Sequence, residues 1–362
     1  MSPGRTPRQQ DQLTIPPRQP YTPAMLPLRL ALGLSLLAPL APAAPRLLSV
    51  ERIWGEAPHS AFGDLIRFDG RWFVTFREGI RHVAGGDLKK DDGKIRILSS
   101  PDGKRWRSEA LVEEAGIDLR DPHLSLTPQG LLMLTMGGSV YVDAQYRGRQ
   151  PRVAFSKDGK SWTPPRRVLR EGDWLWRTTW HDGWGWGIAK YGAYGKPEPG
   201  NPRRVDLVRS RDGVTWEKVL ELGVPGGDEA TIRFRPDGTM VVLMRRGIGE
   251  GDTAMLGEAR PPYRDWVWTD SKLFVGGPNF LILPDGSLWG GGRHFREPGR
   301  KDPVTVLARM TTRSYEPVLT LPSGNDSSYP GFVWHDGLLW MTYYSSHEGK
   351  TAIYLAKIAL QP

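Results

Sequence analysis

The seven residues SKDGKSW (156–162) return as SPDGKRW (100–106) and SRDGVTW (210–216). The pattern S-x-D-G-x-x-W thus occurs three times, with Asp102, Asp158 and Asp212 spaced 56 and 54 residues apart. A degenerate fourth copy, YRDW, puts Asp265 another 53 residues on. A second motif, a turn followed by an apolar strand, interleaves with the first as FDGRWFVTF, PQGLLMLTM, HDGWGWGIA, PDGTMVVLM, PDGSLWGGG and HDGLLWMTY. Its turn glycines, Gly70, Gly130, Gly183, Gly238, Gly286 and Gly337, fall at intervals of 48 to 60 residues. Two repeats kept in phase mean one structural unit used six times. Each unit reads as strand, D-G turn, strand, longer connection, strand, box turn, strand. Four short strands per unit of this length is a propeller blade, so the expected fold is an all-β, six-bladed β-propeller. RLLSVERIW (46–54), ahead of the first hairpin, is the strand expected to complete the last blade beside TAIYLAKIAL (351–360). The 43 glycines and 32 prolines in 362 residues suit a chain of many turns.

Residues 1–44 have a different character. Arg29 precedes an apolar run from Leu30 to Leu40, and Ala41-Pro42-Ala43 follows as a small-x-small cleavage pattern. This reads as a secretory signal peptide after a proline-rich extension, with Met25 as an alternative start. The expected domains are therefore 1–44, signal and extension, and 45–362, one propeller, in a secreted or periplasmic protein. The run is broken by prolines and shorter than the roughly 20 residues a membrane-spanning helix needs, so no stable membrane insertion is expected. Three of the nine net positive charges fall within the first 45 residues and no long basic run occurs, which argues against nucleic acid as a partner. There is no cysteine, so disulfides contribute nothing.

The box turns have a structural explanation: Ser and Asp oxygens can accept bonds from the amides of their own turn, Gly supplies φ > 0, and Trp packs into the blade. The motif resembles the Asp-box of sialidases and related six-bladed propellers, over nearly all of 45–362. Two segments resemble sialidase motifs residue by residue. GDEATIRFRPDGTMVVLMRR is similar to the segment in which a glutamate opens an inner strand and an arginine follows the next. It implies the activating role for Glu229 and a carboxylate-binding role for Arg245, with Arg246 as the register alternative. SSYPGFVWHDGLLWMTYY is similar to the segment bearing the nucleophilic tyrosine, which implies Tyr329, and GGR at 291–293 implies a second clamp arginine, Arg293. A tyrosine nucleophile is an exception to paired-carboxylate glycoside hydrolysis.

The turn glycines give a register of their own. Seven residues after each stand Arg77, Gly137, Lys190, Arg245, Arg293 and Tyr344. A shared offset means a shared face and depth, and convergent arginines match an anion such as a carboxylate. Polar residues open the inner strands at the same end: Asp64, Arg120 and Asp121, Arg177, Asp228 and Glu229, Asn279, Asp326 and Tyr329. Sialidases begin with an Arg-Ile-Pro stretch, and the matching region here, HSAFGDLI, has no arginine; either Arg77 or Arg120 takes its place, or the ligand is not a sialic acid. RDP (120–122) is also similar to a segment of five-bladed glycosidases acting on furanosides and other neutral sugars, although six hairpins argue against that fold. The acid/base role is expected on the acidic loop after the first hairpin, at Asp92, with Asp87, Asp91 and His82 as rivals. One or two of Trp174, Trp176, Trp184 and Trp186, which crowd one blade, are candidates to line a sugar site. The resulting expectation is a metal- and cofactor-independent hydrolase of sialidase type. Tyr329, Glu229 and Asp92 would be catalytic, and Arg77, Arg245, Arg293, Arg120, Asp64, Asp121 and His82 would line the substrate site. The partner is then a glycan. Alternatives are another glycan-active hydrolase or lyase on the same scaffold, or a non-catalytic glycan-binding propeller.

Overall fold

A computed structural model describes residues 44–83, 93–143, 145–192, 204–247 and 252–360. The signal-peptide expectation, Asp87, Asp91 and Asp92 lie outside the described residues. The described residues form six antiparallel sheets arranged as a propeller. Blade 1 is His59–Phe68, Arg71–Gly79, Lys94–Ser100 and Arg107–Val112; blade 2 is Asp118–Leu126, Leu132–Val142, Gln145–Ser156 and Arg166–Arg167. Blade 3 has an interrupted inner strand, Trp174–Leu175 and Thr179–His181, followed by Trp184–Tyr191, Arg204–Ser210 and Trp216–Glu221. Blade 4 is Gly227–Phe234, Met240–Arg246, Met255–Ala259 and Val267–Asp270; blade 5 is Gly276–Ile282, Leu288–Glu297, Lys301–Met310 and Tyr315–Thr320. Blade 6 takes Ser327–His335, Leu338–Ser345 and Ala352–Ala359 from the end of the chain and Arg46–Trp54 from its beginning, paired from Arg46 opposite Ala359 to Trp54 opposite Ile353. The expected closing strand is therefore the one used.

Hairpin chemistry follows the local sequence. In FDG and both HDG turns, Asp69-Gly70, Asp182-Gly183 and Asp336-Gly337 all have φ between 46° and 71°, the two-residue turn whose twist matches the strands. In the PQG and PDG turns only the glycine is left-handed, and a three-residue loop results, closed for example by Gly238 N–H donating to Arg235 O at 2.9 Å. The apolar core lies between blades rather than on the axis. Trp186, Ile188, Leu207, Ile232 and Val242 join blades 3 and 4, and Val241, Leu256, Phe280 and Ala308 join blades 4 and 5.

The S-x-D-G-x-x-W segments are turns between third and fourth strands. In each, the Ser oxygen accepts the Gly N–H (2.8 to 2.9 Å) and the Asp Oδ1 accepts the next two N–H groups (2.7 to 3.0 Å). These bonds hold Asp158 below the usual carboxylate range and, against a partial desolvation, Asp212 at about 2. Each box glycine packs on the preceding blade: Gly103 against Trp340, Gly159 against Phe73 and Gly213 against Met133. The fourth copy needs a correction. Trp266 Nε1 donates to Tyr263 O at 3.0 Å, as Trp162 does to Gly159 O and Trp216 to Gly213 O. Tyr263 (φ 64°) therefore takes the glycine position, which puts Pro262, not Asp265, at the aspartate position. Blade 5 makes this connection with a turn one residue shorter, between Met310 and Tyr315, in which the Thr311 hydroxyl accepts the N–H of Arg313 and Ser314 at 3.0 and 2.9 Å.

Candidate active site

The inner strands begin at one end of the ring, and there four of them carry a β-bulge. Two residues oppose one, and the first is left-handed: Phe62 (φ 60°), Asp121 (51°), Gly277 (59°) and Tyr329 (56°). Three are not glycine, and such backbone costs about 1 to 3 kcal/mol each, which places strain around one rim. Gly277 is glycine for a steric reason as well, since a Cβ there would stand 2.5 Å from Tyr329 Cδ2. Blade 4 is also bulged, between Gly227 and Ala230, and carries Asp228 and Glu229 there.

The side chains of this rim converge. Tyr329 donates its hydroxyl to Glu229 Oε1 at 2.8 Å. Arg245 Nη1 approaches the same oxygen at 2.8 Å, and Gly277 N–H donates to Oε2 at 2.8 Å. Burial, the largest influence, works to raise the Glu229 pKa, but the charges of Arg245 and Lys190 and the Arg245 hydrogen bond together outweigh it and the net shift is down, so Glu229 is ionised. Burial, then the Glu229 charge, pushes the Tyr329 phenol well up. The resting pair is a neutral phenol donating to a carboxylate. Arg293 donates through Nε to Ser327 O (2.8 Å) and through Nη2 to Tyr344 Oη (2.8 Å) and Asp326 Oδ1 (3.2 Å). Arg120 lies 4.9 Å over the Phe62 ring, donates to His82 O at 3.3 Å, and stands at a loose 3.7 Å from Asp121. Two of the guanidinium groups keep unspent N–H donors: Arg245 Nε has no partner, and no hydrogen bond of the described residues uses Nη1 of Arg293.

Other groups line the rim. Burial foremost, with help from Glu229, raises Asp121 to about 6, and its Oδ1 has no hydrogen-bond partner. Asp228 pairs with Lys190. Asp326 Oδ2 takes bonds from His82 Nδ1 (2.6 Å) and His59 Nε2 (3.0 Å). Burial alone would raise the Asp326 pKa, and these bonds together with Arg293 hold it far below the usual range. Trp176 forms the floor, edge-on to Tyr329 at 5.2 Å and to His123 at 4.7 Å.

Among the residues expected from sequence, Tyr329, Glu229, Arg245, Arg293, Arg120, Asp121 and His82 are brought to this rim. Arg245, not Arg246, faces Glu229; Arg246 turns to Asp270 at 2.9 Å. Two expected residues are elsewhere. Arg77 is fully buried behind the rim, with Nε on Asp118 Oδ1 at 2.7 Å and Nη1 on Arg81 O at 2.8 Å. The shared offset fixes the face, but the acid that opens blade 2 captures this arginine, and Arg120 stands at the rim in its place. Asp64 lies down the channel, ion-paired to Arg177 at 2.7 Å. His59 and Phe62 acquire roles that the sequence did not suggest, and Trp176, one of the four tryptophans expected to supply a sugar-site residue, lies against Tyr329. Both His59 and Phe62 come from HSAFGDLI, the stretch that lacks the arginine expected there from the resemblance.

No family model matches the chain, and no curated protein matches it in sequence. Solved structures do match. A protein of unknown function from Dyadobacter fermentans is similar at TM-score 0.74 and 19% identity, over 88% of this chain and 100% of that one. Trypanosoma rangeli sialidase, solved with the inhibitor DANA, is similar at TM-score 0.61 and 12% identity, over 87% of this chain. The match spans 58% of the sialidase's length. The GH93 α-L-arabinofuranosidase of Fusarium graminearum, solved with arabinobiose, is similar at 0.61 and 13%, over 88% and 98% of the two chains. At these identities the likeness is one of fold, a sialidase-like six-bladed propeller.

Proposed function

We propose that this protein is a glycoside hydrolase of sialidase type that releases a terminal acidic sugar from glycans. The observation that carries the reading is the Tyr329 to Glu229 hydrogen bond, 2.8 Å long, set among three arginines of which Arg245 and Arg293 have donors to spare. A sugar with a carboxylate on its anomeric carbon repels a carboxylate nucleophile, whereas a neutral phenol approaches without that cost. Arg245, Arg293 and Arg120 hold the sugar carboxylate. Tyr329 Oη attacks the anomeric carbon as its proton passes to Glu229 Oε1, and the leaving glycosidic oxygen takes a proton from Asp92. Water then attacks the glycosyl-tyrosine, giving its proton to Asp92, and Glu229 returns the proton to Tyr329. The apolar-run and cleavage pattern before residue 45 supports meeting the substrate outside the cytoplasm.

A second reading, a glycosidase for neutral sugars with Asp121 as proton donor, is favoured by its pKa of about 6 and by the likeness to an arabinofuranosidase fold. Hydrolysis of a fluorogenic sialoside and a fluorogenic arabinofuranoside separates the two. The first reading expects sialoside turnover, reduced on the order of 10³-fold or more in Tyr329→Phe. Sialoside turnover that survives this substitution refutes the mechanism, and turnover of the arabinofuranoside alone selects the second reading.

A further inference from the structure

The channel below the Trp176 floor holds a cavity of about 280 Å³ lined by inner-strand residues of all six blades, among them Asp64, Ser125, Arg177, Arg233, Asn279 and Val333. Its charges do not balance. Asp64 is ionised: burial opposes this, but Arg177 and His123 hold its pKa far below the usual range. Its carboxylate is taken up by Arg177 at 2.7 Å and by the Leu124 N–H at 2.9 Å. His123, desolvated and next to Arg177, is lowered to about 4 and is neutral at pH 7. Arg233 has no ion-pair partner among the described residues. Its guanidinium donates to Asn279 Oδ1 (2.9 Å), Ile232 O (2.8 Å) and Thr179 Oγ1 (3.2 Å), all neutral. Burial foremost, then the Arg177 charge, lower it to about 9, and the Asp64 charge offsets them only in part. Two more polar groups on the same cavity are unpartnered: Arg177 Nε, on a side chain 6% exposed, and Ser125 Oγ. Water can fill such a volume and satisfy N–H groups, but it cannot neutralise a charge.

We propose that this cavity binds a small monovalent inorganic anion, held by Arg233, Arg177 Nε–H and the Ser125 hydroxyl, as a site separate from the one around Tyr329. One negative charge matches the single excess positive charge. The anion joins inner strands of blades 2, 3 and 4 around the axis and stabilises the ring without touching the substrate.

The test uses the full chain and halides as probes. Thermal unfolding is followed in sodium gluconate with chloride or bromide substituted at constant ionic strength, for the wild type and for Arg233→Gln. The expected result is a saturable rise in wild-type Tm with halide, because a ligand of the folded state alone shifts the equilibrium by mass action, and no rise in the variant. Bromide-soaked wild-type crystals should show an anomalous peak in the cavity, which decides the matter if the variant does not fold. A wild-type Tm that does not respond to halide, an unchanged response in the variant, or a channel without bromide overturns the proposal.

Discussion

Replacing Asp121 by Asn should make the protein more stable and less active, and the gain should appear only above a definite pH. The carboxyl is 7% exposed, its Oδ1 is unpartnered, and Arg120 at 3.7 Å is too far to repay its desolvation. Its pKa is accordingly about 6 in the fold against the ordinary 3.8, a rise of about two units. At 1.36 kcal/mol per unit, this is about 3 kcal/mol. The sign follows from linkage: the folded chain binds this proton more tightly than the unfolded chain. Stability is therefore fully present below pH 4 and is lost as pH rises through 6. Asparagine cannot ionise, and it tolerates the φ of 51°. Urea unfolding of both proteins should give equal free energies near pH 4 and a variant more stable by about 3 kcal/mol at pH 8. A difference that does not change between these pH values, or a wild type more stable at pH 8, refutes the reasoning. Sialoside turnover should fall in the same variant, since a rim that keeps a costly carboxylate does so for the reaction it serves.

Other perturbations test the scaffold. Asp118→Ala leaves the buried Arg77 guanidinium without its carboxylate and should cost about 3 to 5 kcal/mol in urea unfolding. Gly159→Ala forces a methyl into the Phe73 ring at φ 74° and should cost about 2 to 4 kcal/mol, whereas Gly130→Ala, at φ 76° with open space around it, should cost about 1 to 2 kcal/mol from backbone strain alone. Gly277→Ala pushes against Tyr329 and should lower kcat on the order of 10²-fold with the circular dichroism spectrum unchanged.

The ring could be read from sequence because its turns are chemically loud: D-G and P-x-G put a left-handed residue at a fixed place in every unit. Arginine register could be read as far as the face of the strand. What captures each arginine could not, because Asp118, which takes Arg77, lies 41 residues away in the next blade. SSYPG shows Tyr329 only as one of several polar residues opening an inner strand, and its nucleophilic role came from the resemblance alone; its left-handed backbone is visible only in three dimensions. The group of His59, His82 and Asp326 was hidden for a related reason, since two segments more than 240 residues apart assemble it. Asp265 misled because tryptophan spacing, not the aspartate letter, carries the turn.

Blade 6 is woven from both ends of the polypeptide, and it is the blade that carries Tyr329. During synthesis the first strand must wait for the last, so this blade cannot be completed on a growing chain, and its contacts are the most distant in sequence and the slowest to form. Tyr329 reaches Glu229 across 100 residues, from a blade whose outer edge, Arg46–Trp54, precedes the other described strands. The Tyr329–Glu229 pair should therefore assemble only when folding is complete, and a chain interrupted before blade 6 should lack it.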